Sequence, residues 1–258
     1  MIAGKADGMQ RDYWYSVARD AREILRAEEI GRIAAERTVR RLKSRKLATM
    51  QCPVLFEAPV AASLFGHFVG AVSGGSLYRK SSFLLDQLDR TVFSDTVHVD
   101  DVPHIKRGLA SSAFDDEGVR TQRRVIVEGG VLRGYFLGSY SARKLGMQTT
   151  GNAGGTHNLL IRPGNMDFSG LLRQMQRGLV VTELLGHGVN PVTGDYSRGA
   201  AGFWVERGEI QYPVEEITIA GNLKDIYKNI VAIGNDVLVQ GSRQCGSVLV
   251  ERMSVAGS

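Results

Sequence analysis

Cysteine, proline and long apolar runs are the scarce features of this chain. Two cysteines in 258 residues, Cys52 and Cys245, exclude a disulfide scaffold and CxxC metal knuckles, and leave at most one bridge or two free thiols, which fits a reducing cytoplasm best. The N-terminal MIAGKADGMQRDYWYS has no basic region followed by an apolar one, so it does not read as a secretory signal. One apolar stretch, Val54 to Val72, approaches the roughly 20 residues that cross a bilayer. Glu57, Pro59 and His67 interrupt it, and each is costly or disruptive in lipid. The expectation is a buried helix and no membrane partner. Six prolines against 31 glycines point to many tight turns without Pro-rich tails.

Excess charge is confined to one region. The net charge is +5, yet residues 1–50 carry 12 of the 32 basic and 7 of the 27 acidic side chains, so the other 208 residues hold 20 of each. A body of balanced charge is not the composition of a nucleic-acid-binding domain, and nucleic acid is not expected as a partner. The run Arg37 to Lys46 holds six basic residues and no acid. It reads mostly as the exposed face and positive C-terminal end of one helix.

Along the chain, residues 11–19 read as a strand and Asp20 as the N-cap of a helix with Glu23 completing a capping box. Ile24, Ala27, Gly31, Ala34, Val39 and Leu42 are its expected apolar side. A strand at Met50 to Glu57 and a helix of Val60 to Ala71 follow, the helix opened by Pro59, apolar nearly all round and ending at Gly74-Gly75. Residues 76–125 suit loops and edge strands. Two hairpins are expected, one joining Arg123–Glu128 to Val131–Leu137 through Gly129-Gly130, the other joining Gly202–Glu206 to Glu209–Val214 through Arg207-Gly208. Short helices at Tyr140–Leu145, Phe168–Met175 and Leu223–Ile230 alternate with strands at Asn158–Arg162, Leu179–Leu185, Ile230–Ile233 and Ser247–Val255. The fold class is α+β, mainly antiparallel sheet with hairpins around a buried helix.

Three stretches invite chemistry. Thr149 to Thr156, with Thr150, Gly151 and Asn152 at its centre, resembles a phosphate cradle but lacks the lysine and the following helix that a P-loop needs, so it reads as a tight loop that lets another backbone approach. Glu183, His187, Asp195, Tyr196, Ser197 and Arg198 gather acid, imidazole, hydroxyl and guanidinium within sixteen residues. Ser197 has no G-x-S-x-G elbow and VVTELL reads as strand, so a turn network ordering a binding loop is preferred to a catalytic triad. Cys245 follows Arg243, which would lower a thiol's pKa, although a lone cysteine is more often an inert small residue. His67 reads as a satisfied core histidine; His98 and His104 receive no role.

The segments at 72–89 (VSGGSLYRKSSFLLDQLD), 108–158 (from GLASSAFDDEGVRT to GGTHN) and 178–230 (from GLVVTELLGHG to DIYKNI) resemble the PmbA/TldE branch of the TldD/PmbA metalloprotease family, over almost the whole chain. The resemblance is to the second half of longer proteins. It implies that residues 1–45 are the tail of a central domain, a strand plus amphipathic helix, and residues 46–258 the family's C-terminal domain; an N-terminal domain is not among these residues. It further implies a cytoplasmic TldD–TldE heterodimer cleaving unfolded or short peptides, microcin precursors among them, with zinc held in the TldD-type subunit by HExxxH and a cysteine. The matching positions here are Phe65, Gly66 and Gly70, with Cys245 at the third-ligand position only. The chain is then expected to have no catalytic residue, no metal and no cofactor of its own, and to be the non-catalytic subunit. Thr150, Gly151, Asn152, Asp195, Tyr196, Ser197 and Arg198 are the candidates for contacting a partner or an extended peptide. The alternatives are an autonomous Cys- or Ser-dependent hydrolase, and a binding modulator of a DNA-associated enzyme.

Overall fold

The computed structural model describes residues 1–5 and 8–257. A hairpin of β1 (Ile2–Lys5) and β2 (Gly8–Arg11) leads through a single 3-10 turn at Ala21–Glu23 to helix α1 (Ala27–Arg40). Then come β3 (Met50–Phe56), α2 (Ala58–Ala71), α3 (Gly74–Tyr78), β4 (Val99–Val102), β5 (Arg124–Glu128), β6 (Val131–Leu132) and α4 (Ser139–Lys144). The second half holds β7 (Asn158–Ile161), α5 (Phe168–Met175), β8 (Gly178–Leu185), β9 (Asp195–Glu206), β10 (Glu209–Asn222), α6 (Leu223–Lys228), β11 (Ile230–Ile233), β12 (Arg243–Gln244) and β13 (Val248–Ala256). The α+β class is as expected, with one parallel pair, β3 on β8, in the larger sheet. Among the described residues no helix is long and apolar enough to cross a membrane.

The larger sheet runs β10-β9-β8-β3-β13-β11, and β10 also pairs with β13, so it curls back on itself. Curling gives β3, β8, β9 and β13 two covered faces, and the period of two sorts their side chains between them. Val54, Phe56, Leu179, Val181, Trp204, Val248 and Val250 join α2 in the main core. Their neighbours Leu55, Val180, Phe203, Val205 and Leu249 pack instead against Leu171, Leu172 and Met175 of α5. Helix α5 exists because Asp167 caps it, accepting from the Gly170 N–H at 2.7 Å, and because those apolar residues fall at helical spacing. The smaller sheet runs β12-β7-β4-β5-β6. Its centre is β4, drawn from a stretch expected to give only edge strands; a four-residue strand carrying Asp100 and Asp101 has little apolar signature of its own.

Both expected hairpins form with positive φ at both turn residues, 53° and 77° at Gly129-Gly130 and 55° and 74° at Arg207-Gly208, the backbone whose twist matches paired strands. Their strands differ in length from expectation: β6 is only two residues, whereas β9 and β10 run to 12 and 14.

Four local expectations are corrected. Residues 12–18 form no strand, because Tyr15 exchanges hydrogen bonds with Gln240 through side chains, its Oη donating to the Gln240 carbonyl and Gln240 Nε2 donating to the Tyr15 carbonyl. Asp20 caps only the 3-10 turn, and Glu23 pairs with Arg107 instead of closing a capping box. The buried face of α1 is Ala34, Thr38 and the adjoining Arg41, while Val39 is 56% exposed. Helix α2 stops at Ala71 and Gly74 begins α3, capped by Ser73, where any Cβ would collide with Ser141 and Leu137.

The basic run is a solvated face only in part: Arg40, Lys43, Arg45 and Lys46 are exposed, Arg37 and Arg41 are not. Arg37 binds Glu57 in a two-pronged pair, 2.9 and 3.1 Å, and lies 3.4 Å from Asp12; Arg41 pairs with Glu183 and Asp12. Both guanidinium side chains are about nine-tenths buried. Arg40 stacks on Phe203, Arg45 on Tyr212, and Lys46 reaches Glu216. Two of the six charges are therefore spent inside the molecule, fastening α1 to Glu57 after β3 and to β8, while Arg40, Lys43, Arg45 and Lys46 stay exposed.

Candidate functional site

Helix α2 carries Phe65, Gly66 and Gly70, the positions that the resemblance matches to HExxxH. Its buried face is Ala58, Ala61, Leu64, Phe65, Phe68 and Ala71, at spacings of three and four. Phe65 is fully buried and stacks on Phe93 at 5.9 Å, and Phe68 meets the same ring edge-on at 5.0 Å. The opposite side is not apolar all round, as expected, but a strip of Ala62, Ser63, Gly66 and Gly70, each at least partly open to solvent. A Cβ on Gly66 would lie 2.8 Å from a guanidinium nitrogen of Arg243 on β12. The space beside position 66 is thus taken by a cation.

A cleft runs past Ala62 and Ser63 of this strip. One wall is the unpaired segment Asp12–Tyr15, with Tyr13 and Tyr15 stacked 6.3 Å apart and 70% and 43% exposed. Glu183, Leu184 and Arg198 stand opposite, with Pro59, Val60 and Ser63 as floor. The cleft continues past Ser63 and Gln240 to Ser242 and Arg243. His67 is half-buried beside it, its ring edge-on to Tyr196 at 6.0 Å, and its Nε2 has no partner, so it is not the satisfied core histidine expected. Burial first, then repulsion by Arg198 and Arg243, lowers the His67 pKa, keeping the ring neutral.

The 183–198 cluster does not assemble a triad. Glu183 is held by Arg41, whereas His187 is exposed in the turn that follows β8. The preferred turn network is present: Asp195 accepts from Thr193 Oγ1 at 2.6 Å and from Asn222 Nδ2 at 3.1 Å, and the Ser197 N–H donates to Gly188 O at 2.7 Å. The side-chain bonds from Thr193 and Asn222 hold the Asp195 carboxyl below the usual range. Tyr196 is buried and its phenol is pushed up to about 12 by desolvation. Arg198 alone of Asp195–Arg198 lines the cleft.

The loop 149–156 lies on the smaller sheet, facing a separate cleft that Thr150 and Gly151 share with His104, Arg120 and Arg123. It is the close-packed turn expected. Gly151, at φ 69°, sits where a Cβ would come 3.0 Å from Arg120 O. Asn152 is buried, donating to Asp101 Oδ2 at 2.8 Å and accepting from Arg124 at 3.1 Å and from Thr150 Oγ1 at 2.8 Å. Asp101, fully buried, also accepts from the His157 N–H at 2.8 Å and lies 3.0 Å from His157 Nδ1. Beneath the same loop, Asp115 accepts from the N–H groups of Ala153, Val119 and Glu117; burial raises its pKa, and those three bonds more than offset this, so it is lowered. No hydrogen bond joins the two candidate groups among the described residues, so Thr150–Asn152 and Asp195–Arg198 serve different surfaces.

Sequence reasoning missed Asp101, Arg124, His157 and Asp115, which hold the loop, because strands with isolated polar residues carry no motif. Arg243 was singled out only as a neighbour of Cys245. The structure turns it the other way, onto α2. Cys245 is 1% exposed, donates to Gly246 O at 3.0 Å, and its pKa is raised by desolvation and then by Asp236, the opposite of an activated thiolate.

A sequence profile described as the PmbA/TldA metallopeptidase C-terminal domain matches residues 49–257. The chain belongs to the PmbA/TldD family. The metalloprotease PmbA of Escherichia coli O157:H7 is 54% identical over 100% of this chain, and the PmbA homologue of Haemophilus influenzae is 50% identical, also over 100%. In both, the chain spans 57% of the relative's length. A Thermotoga maritima structure, described as that of a candidate modulator of a DNA gyrase, superposes with a TM-score of 0.92 at 38% identity, over 99% of this chain and 60% of the other. TldE of Thermococcus kodakarensis matches in fold, with a TM-score of 0.88 at 23% identity over 99% of this chain and 61% of its own.

The metalloprotease name of these relatives implies a metal, and the donor set can be tested for it. Phe65, Gly66 and Gly70 offer no ligand atom, and Cys245 is buried and bonded to Gly246. Among the described residues no three His, Cys, Asp or Glu side chains are placed to share an ion. A catalytic zinc takes three protein ligands and a nearby base; these residues do not fit one.

Proposed function

We propose that this chain is the non-catalytic, TldE/PmbA-type subunit of a two-subunit zinc peptidase, its partner a TldD-type chain that supplies HExxxH, and that the pair acts in the cytoplasm on unfolded or short peptides, microcin precursors included. What carries this reading is α2: an aromatic core side chain and two glycines stand at the positions that the resemblance matches to HExxxH, with Arg243 against one of the glycines. A cation there opposes a second cation, since two unit charges about 4 Å apart repel by several kcal/mol in a protein of effective dielectric near 20. Family membership and the fold match to a TldE support the same role. The division into a central-domain tail, residues 1–45, and a C-terminal domain, residues 46–258, belongs to this proposal, as does contact with peptide or partner at Thr150, Gly151, Asn152, Asp195, Tyr196, Ser197 and Arg198.

A role as modulator of a DNA-associated enzyme has little physical support, because the arginines of its only basic run are largely paired or stacked. An autonomous thiol or serine hydrolase is disfavoured by the inert Cys245 and by Ser197 on a strand without a histidine partner. The reading is tested with casein as substrate. Hydrolysis is expected only when the chain is mixed with a TldD-type subunit, is abolished by a chelator, and is unchanged by Cys245→Ser. Hydrolysis by the chain alone, lost in the Ser variant, contradicts it.

A further inference from the structure

Arg198 and Arg243 are the unusual side chains of the cleft. They come from different sheets, Arg198 on β9 and Arg243 on β12, yet they line adjoining stretches of the cleft that share Tyr15, Pro59, Ser63 and Gln240. Neither has an ion pair or a side-chain hydrogen bond among the described residues, and Arg198 Nε is buried without a partner. Of the other arginines nearby, Arg37 in the same lining and Arg41 behind it take up Asp12, Glu57 and Glu183, although Arg37 Nε, 3.4 Å from Asp12, makes no hydrogen bond. The acids that line the cleft, Asp12 and Glu183, are therefore already satisfied. A buried, unbonded guanidinium N–H is costly, and such a group calls for a partner.

We propose that the α2 cleft is a carboxylate-binding site, in which Arg198 and Arg243 receive a carboxylate of an extended peptide. Guanidinium groups match a carboxylate by charge and by parallel N–H donors. The small residues Ala62 and Ser63 leave the cleft floor open, and the exposed Tyr13–Tyr15 segment offers apolar surface to the residues next to the carboxylate. The cleft beside Arg198 encloses about 280 Å³, room for a few residues and not for a folded partner or a duplex. Asp12 and Glu183, which line the same cleft, leave little net positive charge, which suits one monovalent group and opposes a polyphosphate chain.

The choice of a peptide as the carrier rests on the peptidase-partner reading, but the test needs no TldD, so failure here and failure of that reading are separately visible. Fluorescence anisotropy is measured on the full chain with a fluorescein-labelled Gly/Ala/Leu hexapeptide in three forms: free C-terminal acid, C-terminal amide, and amide with one internal glutamate. The expected result is that the acid binds at least about tenfold more tightly than the plain amide. Arg198→Gln and Arg243→Gln each remove most of that difference without changing the thermal midpoint, and Arg198→Lys keeps part of it. If the glutamate amide binds like the acid, the carboxylate is a side chain's; if it binds like the plain amide, it is the C-terminus. Either outcome supports the site. Equal affinity for acid and plain amide, no binding of any form, or Gln variants that weaken all three forms alike overturns it. A single-stranded oligonucleotide that displaces the peptides and is lost in the same variants also overturns it, in favour of phosphate.

Discussion

Phe65→His lowers the stability of this chain by about 3–5 kcal/mol, the range for truncating a buried aromatic side chain, and its thermal midpoint by roughly 6–20 °C. Position 65 is the first that would have to change to rebuild a zinc-binding helix. Its ring is fully buried and stacks on Phe93, which itself packs against Phe68 at 5.0 Å and Tyr227 at 4.5 Å. An imidazole in that place loses apolar contact and adds nitrogen atoms that need partners in an apolar surround. Gly66→Glu, in contrast, needs only the flexible end of Arg243 to move, and costs about 1 kcal/mol or less. Urea unfolding of the two variants checks the difference. Equal stability in both would mean that Phe65 is not the core residue described, and that the helix has retained room for a ligand.

Asp101→Ala is expected to be as damaging, about 3–5 kcal/mol, because it removes one member of a buried charged network and leaves the others unpaired. Asp101 is the common acceptor for the His157 N–H, His157 and Asn152 Nδ2, and its charge compensates the buried Arg124. The effect should be local as well as global: amide exchange in residues 150–157 rises by more than it does in β9 and β10. Asp101→Asn, which keeps the shape and part of the bonding, should recover a fraction of the loss. If the Ala variant loses under 1 kcal/mol, the loop is held by its glycine backbone geometry and not by the network.

The legible part of the fold followed apolar periodicity and turn chemistry. Helix α5 lies at the expected residues 168–175, β3 and β8 within a residue of expectation, and both glycine-containing hairpins turn where Gly129-Gly130 and Arg207-Gly208 predict. Misread elements were those fixed by contacts distant in sequence. The aromatic alternation of residues 11–19 has the pattern of a strand, yet Tyr15 finds Gln240, 225 residues on, through side chains. Thr38 and Arg41 mark the buried face of α1 because acids from the N-cap of α2, from β8 and from the 12–18 segment meet this side of the helix, which a hydrophobic pattern cannot register. The same holds for the cleft. The losses at Phe65, Gly66 and Gly70 could be read from the sequence by resemblance, whereas the placement of Arg243 over Gly66, and of Arg198 across from the tyrosine wall, required two sheets to be folded against one helix.

The account rests most directly on the metal. Zinc content of the purified chain, measured by elemental analysis after dialysis against a weak chelator and again after mixing with a TldD-type subunit, tests it in one experiment. The predicted result is a chain with far less than one zinc, and a mixture whose zinc and peptidase activity both follow the amount of the TldD-type subunit. One zinc per chain in the isolated protein, lost together with activity when Cys245 is replaced, would contradict it.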